Sequence, residues 1–147
     1  MSDHHLDARP NAGQLNLIGP ELVNVETIGT VTQRLERLLA GSRFRFSNER
    51  ELQEGLALAL TDRGLIFSRE HSLDAHSRVD FLVSPCIAVE IKIAGSQMAL
   101  LRQAQRYAMH TAVHSILVVG TPAWLLRLPA TIGGKPLLGH RLLSSLL

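Results

Sequence analysis

Along residues 78–93 the chain reads RVDFLVSPCIAVEIKI, and most of its large apolar positions fall on alternate residues. Val79, Phe81 and Val83 alternate with Asp80, Leu82 and Ser84. Further on, Val89, Ile91 and Ile93 alternate with Glu90 and Lys92. Side chains along a strand point to opposite faces with period two, so the pattern predicts two strands. Ser84-Pro85-Cys86 predicts a tight turn between them, because proline presets φ and cannot continue an interior strand. Helical spacing governs the segments before this hairpin. Val31, Leu35, Leu38 and Leu39 predict an amphipathic helix over residues 21–40, stopped by Gly41. Leu52, Leu56, Ala59 and Leu60 predict a second helix, capped by Ser47 or Asn48 and ended by Gly64. Glu49, Glu51 and Glu54 enrich its first turns, where the helix dipole favours negative charge. A strand-like segment at 65–73 and a polar loop at 74–77 lead into the hairpin.

After the hairpin, Ser96 caps a third expected helix running to about His110, with Leu100, Leu101, Ala104, Tyr107 and Ala108 on its stripe. The unbroken apolar run Ser115–Gly120 predicts a buried strand, parallel to the strand before that helix, with the helix as crossover. Residues 121–134 read as irregular, and 135–143 as an edge strand or short helix. The expected class is therefore α/β, a mixed central sheet flanked by helices.

Length and composition narrow this without redirecting it. The chain has 147 residues, which fits a flexible N-terminal tail at 1–20 and one domain over 21–147. His4 and His5 fall on that tail. A formal charge of +2 is compatible with a nucleic-acid partner without demanding one. The single cysteine, Cys86, rules out an intrachain disulfide framework and a cysteine-rich zinc site, and it reads as a buried, inert thiol. The polar first residues lack the apolar core of a signal peptide, and no apolar run reaches the roughly 18 residues of a membrane span. The expectation is a cytoplasmic protein without a membrane.

Three polar residues stand in the apolar hairpin. Glu90 and Lys92 lie two apart on one strand and share a face, and Asp80 can meet Glu90 from the neighbouring strand. Two converging carboxylates repel unless a cation neutralises them. A hard divalent ion such as Mg²⁺ does so through oxygen ligands, and a nearby lysine can stabilise developing negative charge. Such a group suits hydrolysis of a phosphodiester by a metal-activated water.

Asp80, then nine residues, then Glu90-Ile91-Lys92 resembles the signature of the PD-(D/E)XK nuclease superfamily. Gln103-Ala-Gln-Arg-Tyr107 matches the Q-x-x-x-Y element of its RecB-like and Holliday-junction-resolvase-like members. The helix SNERELQEGL stands before the strands, where members carry a metal-linked glutamate. The resemblance covers residues 44–120, with Val79 at the position of the family's variable proline. It implies a restriction-endonuclease-like core in the order αβββαβ and an Mg²⁺ cofactor that Mn²⁺ can replace. Asp80, Glu90 and the main-chain carbonyl of Ile91 would be the ligands, with Lys92 orienting the water or stabilising the transition state. Gln103 would help fix the lysine or the water, and Tyr107 would support it or touch the nucleic-acid backbone. Glu51, directly before the buried Leu52, is the favoured helix glutamate, with Glu54 the alternative and Glu49 a third choice.

From the residues themselves, Arg78, Arg102 and Arg106, with Arg43, Arg45 and Arg69, are candidates for phosphate contact through the guanidinium fork. His71 and His76 flank the loop beside the expected site. No zinc finger, helix-turn-helix or basic arm is apparent, so sequence-specific reading of DNA is not expected. The expected activity is a metal-dependent deoxyribonuclease, with RNA left open as substrate and a homodimer or a recruiting protein as partner. The alternative is a catalytically inactive module of the same fold that binds nucleic acid or protein.

Overall fold

Strand β4, Ser115–Gly120, is buried at all six of its residues, because helices cover both faces of the sheet to which it is central. The computed structural model describes residues 25–143. The expected tail with His4 and His5, the first part of the expected helix at 21–40 and the last four leucine- and serine-rich residues lie outside that range. Among the described residues the order is α1 (Val25–Gly41), α2 (Glu49–Asp62), β1 (Phe67–Ser72), β2 (Arg78–Val83) and β3 (Ile87–Lys92). It continues with α3 (Gln97–Ala108), β4, a 3₁₀ turn (Ala123–Arg127), β5 (Thr131–Ile132) and β6 (Lys135–Arg141).

The six strands form one open sheet in the order β1-β2-β3-β4-β6-β5. Strands β1, β2 and β3 are antiparallel neighbours, whereas β3, β4 and β6 run parallel, so the sheet is mixed. α3 is the crossover from β3 to β4, as the sequence suggests. The expectation of an edge strand or short helix at 135–143 is corrected: β6 lies inside the sheet between β4 and the two-residue edge strand β5. Nothing in its mixed sequence distinguishes these places. The 3₁₀ turn and β5 occupy the stretch expected to be irregular.

Leu52, Leu56 and Leu60 of α2 and Leu35, Leu38 and Leu39 of α1 pack on one face of the sheet, against Phe81, Val83, Val89, Ile91, Leu117 and Val119. Leu100, Ala104, Tyr107 and Ala108 of α3 pack on the other, against Val79, Ala88, Ile116, Val118 and Leu137. Cys86 is buried as expected, and burial pushes its thiol up. Phe44 and Phe46 of the linker before α2 pack against the α1/α2 side, leaving Arg43 and Arg45 exposed. No helix among the described residues is long and apolar enough to cross a membrane.

Candidate functional site

Strands β2 and β3 pair from Val83↔Ile87 to Phe81↔Val89 and then part, at Asp80 and Glu90. In an antiparallel ladder a residue's N–H and C=O point to the same side. Ile91 therefore turns its backbone groups toward the gap that β2 leaves, and the N–H of Ile93, just past the strand, meets the same gap. Two carboxylates meet them: Asp80 Oδ2 accepts from Ile91 N at 2.8 Å, and Glu49 Oε1 accepts from Ile93 N at 3.3 Å. Unpaired backbone donors in the interior are costly, so these acids replace the missing ladder partners. The Ile91 carbonyl faces the same gap.

The backbone around Asp80 is unusual. Val79 packs with the α3-side core while Phe81 and Val83 pack with the α1/α2 side, although residues two apart on a regular strand share a face. Across the hairpin, Arg69↔Phe81 and His71↔Val79 are paired but Glu70 and Asp80 are not. Glu70 has φ of 46°, a conformation few non-glycine residues adopt. Strand β2 thus turns over at the residue whose carboxyl enters the gap.

Glu90 is buried, with 5% of its surface exposed, and each of its oxygens is engaged. Oε1 accepts from Gln103 Nε2 at 3.0 Å and lies 3.5 Å from Lys92 Nζ. Oε2 lies 3.1 Å from the Tyr107 hydroxyl and 3.4 Å from Asp80 N. Gln103 also donates to the Tyr107 hydroxyl at 2.7 Å, and that hydroxyl reaches the Arg78 carbonyl at 2.8 Å. With one proton to give, the hydroxyl divides between Glu90 and Arg78. Residues 103 and 107 share this task because they lie four apart on α3.

Sequence reasoning missed Gln53. Its Nε2 donates to Asp80 Oδ1 at 2.9 Å, so both Asp80 oxygens are held. Gln53 follows Glu49 by four residues and directly follows the buried Leu52, the one local signal that could have found it. The favoured helix glutamate, Glu51, is placed away from the Asp80 and Glu90 carboxyls. Glu51 accepts from Ser47 N at 2.6 Å and Ser47 Oγ at 2.9 Å, while Asn48 Oδ1 accepts from Glu51 N. It is thus occupied by the reciprocal cap of α2 and is not brought to the cluster. Glu54 pairs with Arg69 at 3.1 Å. Glu49 is the glutamate of α2 that reaches the gap, and its charge acts on Asp80. His71 bonds Ser68, and the backbone N–H of His76 bonds Asp74; neither side chain is bonded to the cluster. Arg78, Arg102 and Arg106 are exposed.

Burial pushes the Glu90 carboxyl up to about 7, and the neighbouring Asp80 charge adds to this against the pull of Lys92. Burial likewise raises Asp80, opposed by the Ile91 N–H and Lys92. Tyr107 is raised by burial and then by the Glu90 charge, so it stays a neutral hydroxyl. Both carboxylates would be relieved by a cation between them. Among the described residues no three His, Cys, Asp or Glu side chains converge closely enough to hold a metal ion by themselves. The hard oxygen donors on offer are Asp80, Glu90 and the Ile91 carbonyl. These are the donor types that a small divalent ion keeping several of its waters would take.

Comparison with family models, curated proteins and solved structures finds no match to this chain.

Proposed function

We propose that this protein is a divalent-metal-dependent nuclease of the PD-(D/E)XK type, built on a restriction-endonuclease-like core and hydrolysing phosphodiester bonds in DNA. One observation carries the reading: Asp80, Glu90 and Lys92 come together where β2 and β3 part, and two of the three are carboxyls, Glu90 buried and Asp80 half-buried, both displaced toward the neutral form. A purely structural ion pair would not require a second, half-buried acid beside it.

In this reading Asp80, Glu90 and the Ile91 carbonyl hold Mg²⁺ or Mn²⁺. The bound ion supplies charge neutralisation and activation of water for attack on phosphorus. Gln53 and the Ile91 N–H fix the Asp80 carboxyl, and Gln103 and Tyr107 fix that of Glu90. Lys92, half-exposed beside Glu90, offers its ammonium to the charge that develops on the phosphate oxygens. Glu49 takes the place expected of Glu51 on the preceding helix. Arg78, Arg102 and Arg106, exposed and without a side-chain partner among the described residues, would meet the backbone of the nucleic acid.

The test is cleavage of labelled single- and double-stranded DNA and RNA with and without Mg²⁺ or Mn²⁺. Cleavage that needs the ion and is lost in Asp80→Ala, Glu90→Ala and Lys92→Ala is the expected result. Wild-type rates in all three variants would refute it.

A further inference from the structure

A second feature lies at the same end of the sheet, on its α1/α2 side. The end of α1, the linker to α2 and the end of β6 enclose a cavity of about 380 Å³. That is within the range of small-ligand sites. Phe44, Phe46 and Leu142 supply apolar wall, and Arg43, His140 and Arg141 supply polar edges, with no acidic residue among the described residues that line it. Among the described residues Arg43 has no ion-pair or hydrogen-bond partner, and Arg141 uses only its Nε, which donates to Thr121 O at 2.9 Å. Burial pushes His140 down, opposed by Glu36, so it contributes as a neutral ring.

The cavity is tied to the candidate catalytic cluster by a short run of contacts. Thr121, whose carbonyl holds Arg141, donates its hydroxyl to Ile93 O at 3.0 Å. Ile93 N in turn donates to Glu49, and Leu142 N donates to Gly120 O in the strand beside Lys92. The cavity thus lies at the end of the sheet that carries Lys92, on the face opposite the Glu90 and Lys92 side chains, and a strand crossing that end of the sheet would reach it.

We propose that the cavity is a subsite for one unpaired nucleotide of the substrate strand, its base against Phe44 and Phe46 and its phosphate against Arg43 and Arg141. The charge is complementary and arginine suits phosphate through its fork. Aromatic walls accept any base by its face, provided the base is out of a duplex stack. The subsite thus points to single-stranded or frayed substrate. It rests on the nuclease reading for its place in the reaction, but its binding chemistry is separate from the metal site.

Two measurements test it on the full chain: binding of thymidine 5′-monophosphate followed by NMR titration, and steady-state cleavage of a single-stranded oligonucleotide. Arg43→Ala, and Arg43→Ala with Arg141→Ala, are expected to weaken mononucleotide binding about tenfold or more, the scale of a lost charge-assisted contact. They are also expected to raise KM with kcat nearly unchanged, and Arg43→Lys to recover part of the loss. Arg43→Ala alone guards against an indirect effect through Thr121. Unchanged binding and unchanged KM in folded variants would overturn the subsite while leaving the nuclease reading intact. Loss of mononucleotide binding in a protein that cleaves nothing would sink the nuclease reading but keep the nucleotide site. Tighter binding of an aliphatic carboxylate such as decanoate than of the nucleotide would overturn the assignment of the occupant.

Discussion

At the scale of the residue, α2 carries three glutamates with separate tasks. Glu49 holds the Ile93 N–H, Glu51 closes the cap with Ser47, and Glu54 pairs with Arg69. Glu49→Ala and Gln53→Ala are expected to lower metal-dependent cleavage and weaken Mn²⁺ binding, by roughly tenfold for Gln53, the usual scale of an outer-shell contact. Glu51→Ala should lower the melting temperature and leave the cleavage rate per folded molecule unchanged. Parallel titrations and melts distinguish the two outcomes. Glu90 sets a pH dependence. Its carboxyl is held up near 7, against an ordinary value of 4.5. The folded state therefore binds the extra proton between those values, and the stability of metal-free protein falls as pH rises through that window. The full shift corresponds to roughly 3 kcal/mol, and the raised Asp80 acts in the same direction. Urea denaturation in chelator at about pH 5.5 and pH 8 should show the loss, and Glu90→Gln should flatten it.

At the scale of the element, the site depends on how closely β4 approaches β3. Gly120 pairs with Lys92, and a Cβ there would run into the Lys92 carbonyl oxygen. Only a strand without a side chain at this point lets the two backbones meet. Gly120→Ala is expected to destabilise the fold by about 3 kcal/mol or more through overpacking, and to displace Lys92. Gly29 in α1 is the control, because nothing stands within 4 Å of a Cβ placed there. Gly29→Ala should stabilise by about 1 kcal/mol, the difference in helix propensity. Thermal melts of the two variants should move in opposite directions. Helices α2 and α3 were legible because each has a cap and an apolar stripe: Asn48 and Ser96 each accept from the backbone N–H three residues on, as their positions suggest.

At the scale of the molecule, the buried Glu90 and half-buried Asp80, both raised, form a strained pair that a bound cation would relieve. Binding to the folded state alone stabilises it by RT ln(1 + [L]/Kd), about 2.7 kcal/mol at a hundredfold excess over Kd. Mg²⁺ or Mn²⁺ is therefore expected to raise the melting temperature of the wild type at pH 8, and not that of Asp80→Asn. An equal shift in both proteins would show binding elsewhere. Helices on both faces of the sheet exclude water from Glu90 and so make the pair sensitive to charge.

Alternation, capping and stripe spacing are local, and by themselves they determined the α/β order, the hairpin of β2 and β3, and the placing of Asp80, Glu90 and Lys92 on neighbouring strands. The partnership of Gln103 and Tyr107 was equally legible, because four residues of helix fix a shared face. Tertiary structure decided the rest. The place of β6 inside the sheet depends on which strand edge is left open, which a single strand's composition does not encode. The choice among Glu49, Glu51 and Glu54 depends on the rotation of α2 about its own axis and on Ser47 competing for one of them. The role of Gln53 arises only when packing of Leu52 and Leu56 turns that flank of the helix toward Asp80. The gap itself exists because β2 turns over at Asp80 while β3 continues, a long-range consequence of packing on two opposite faces.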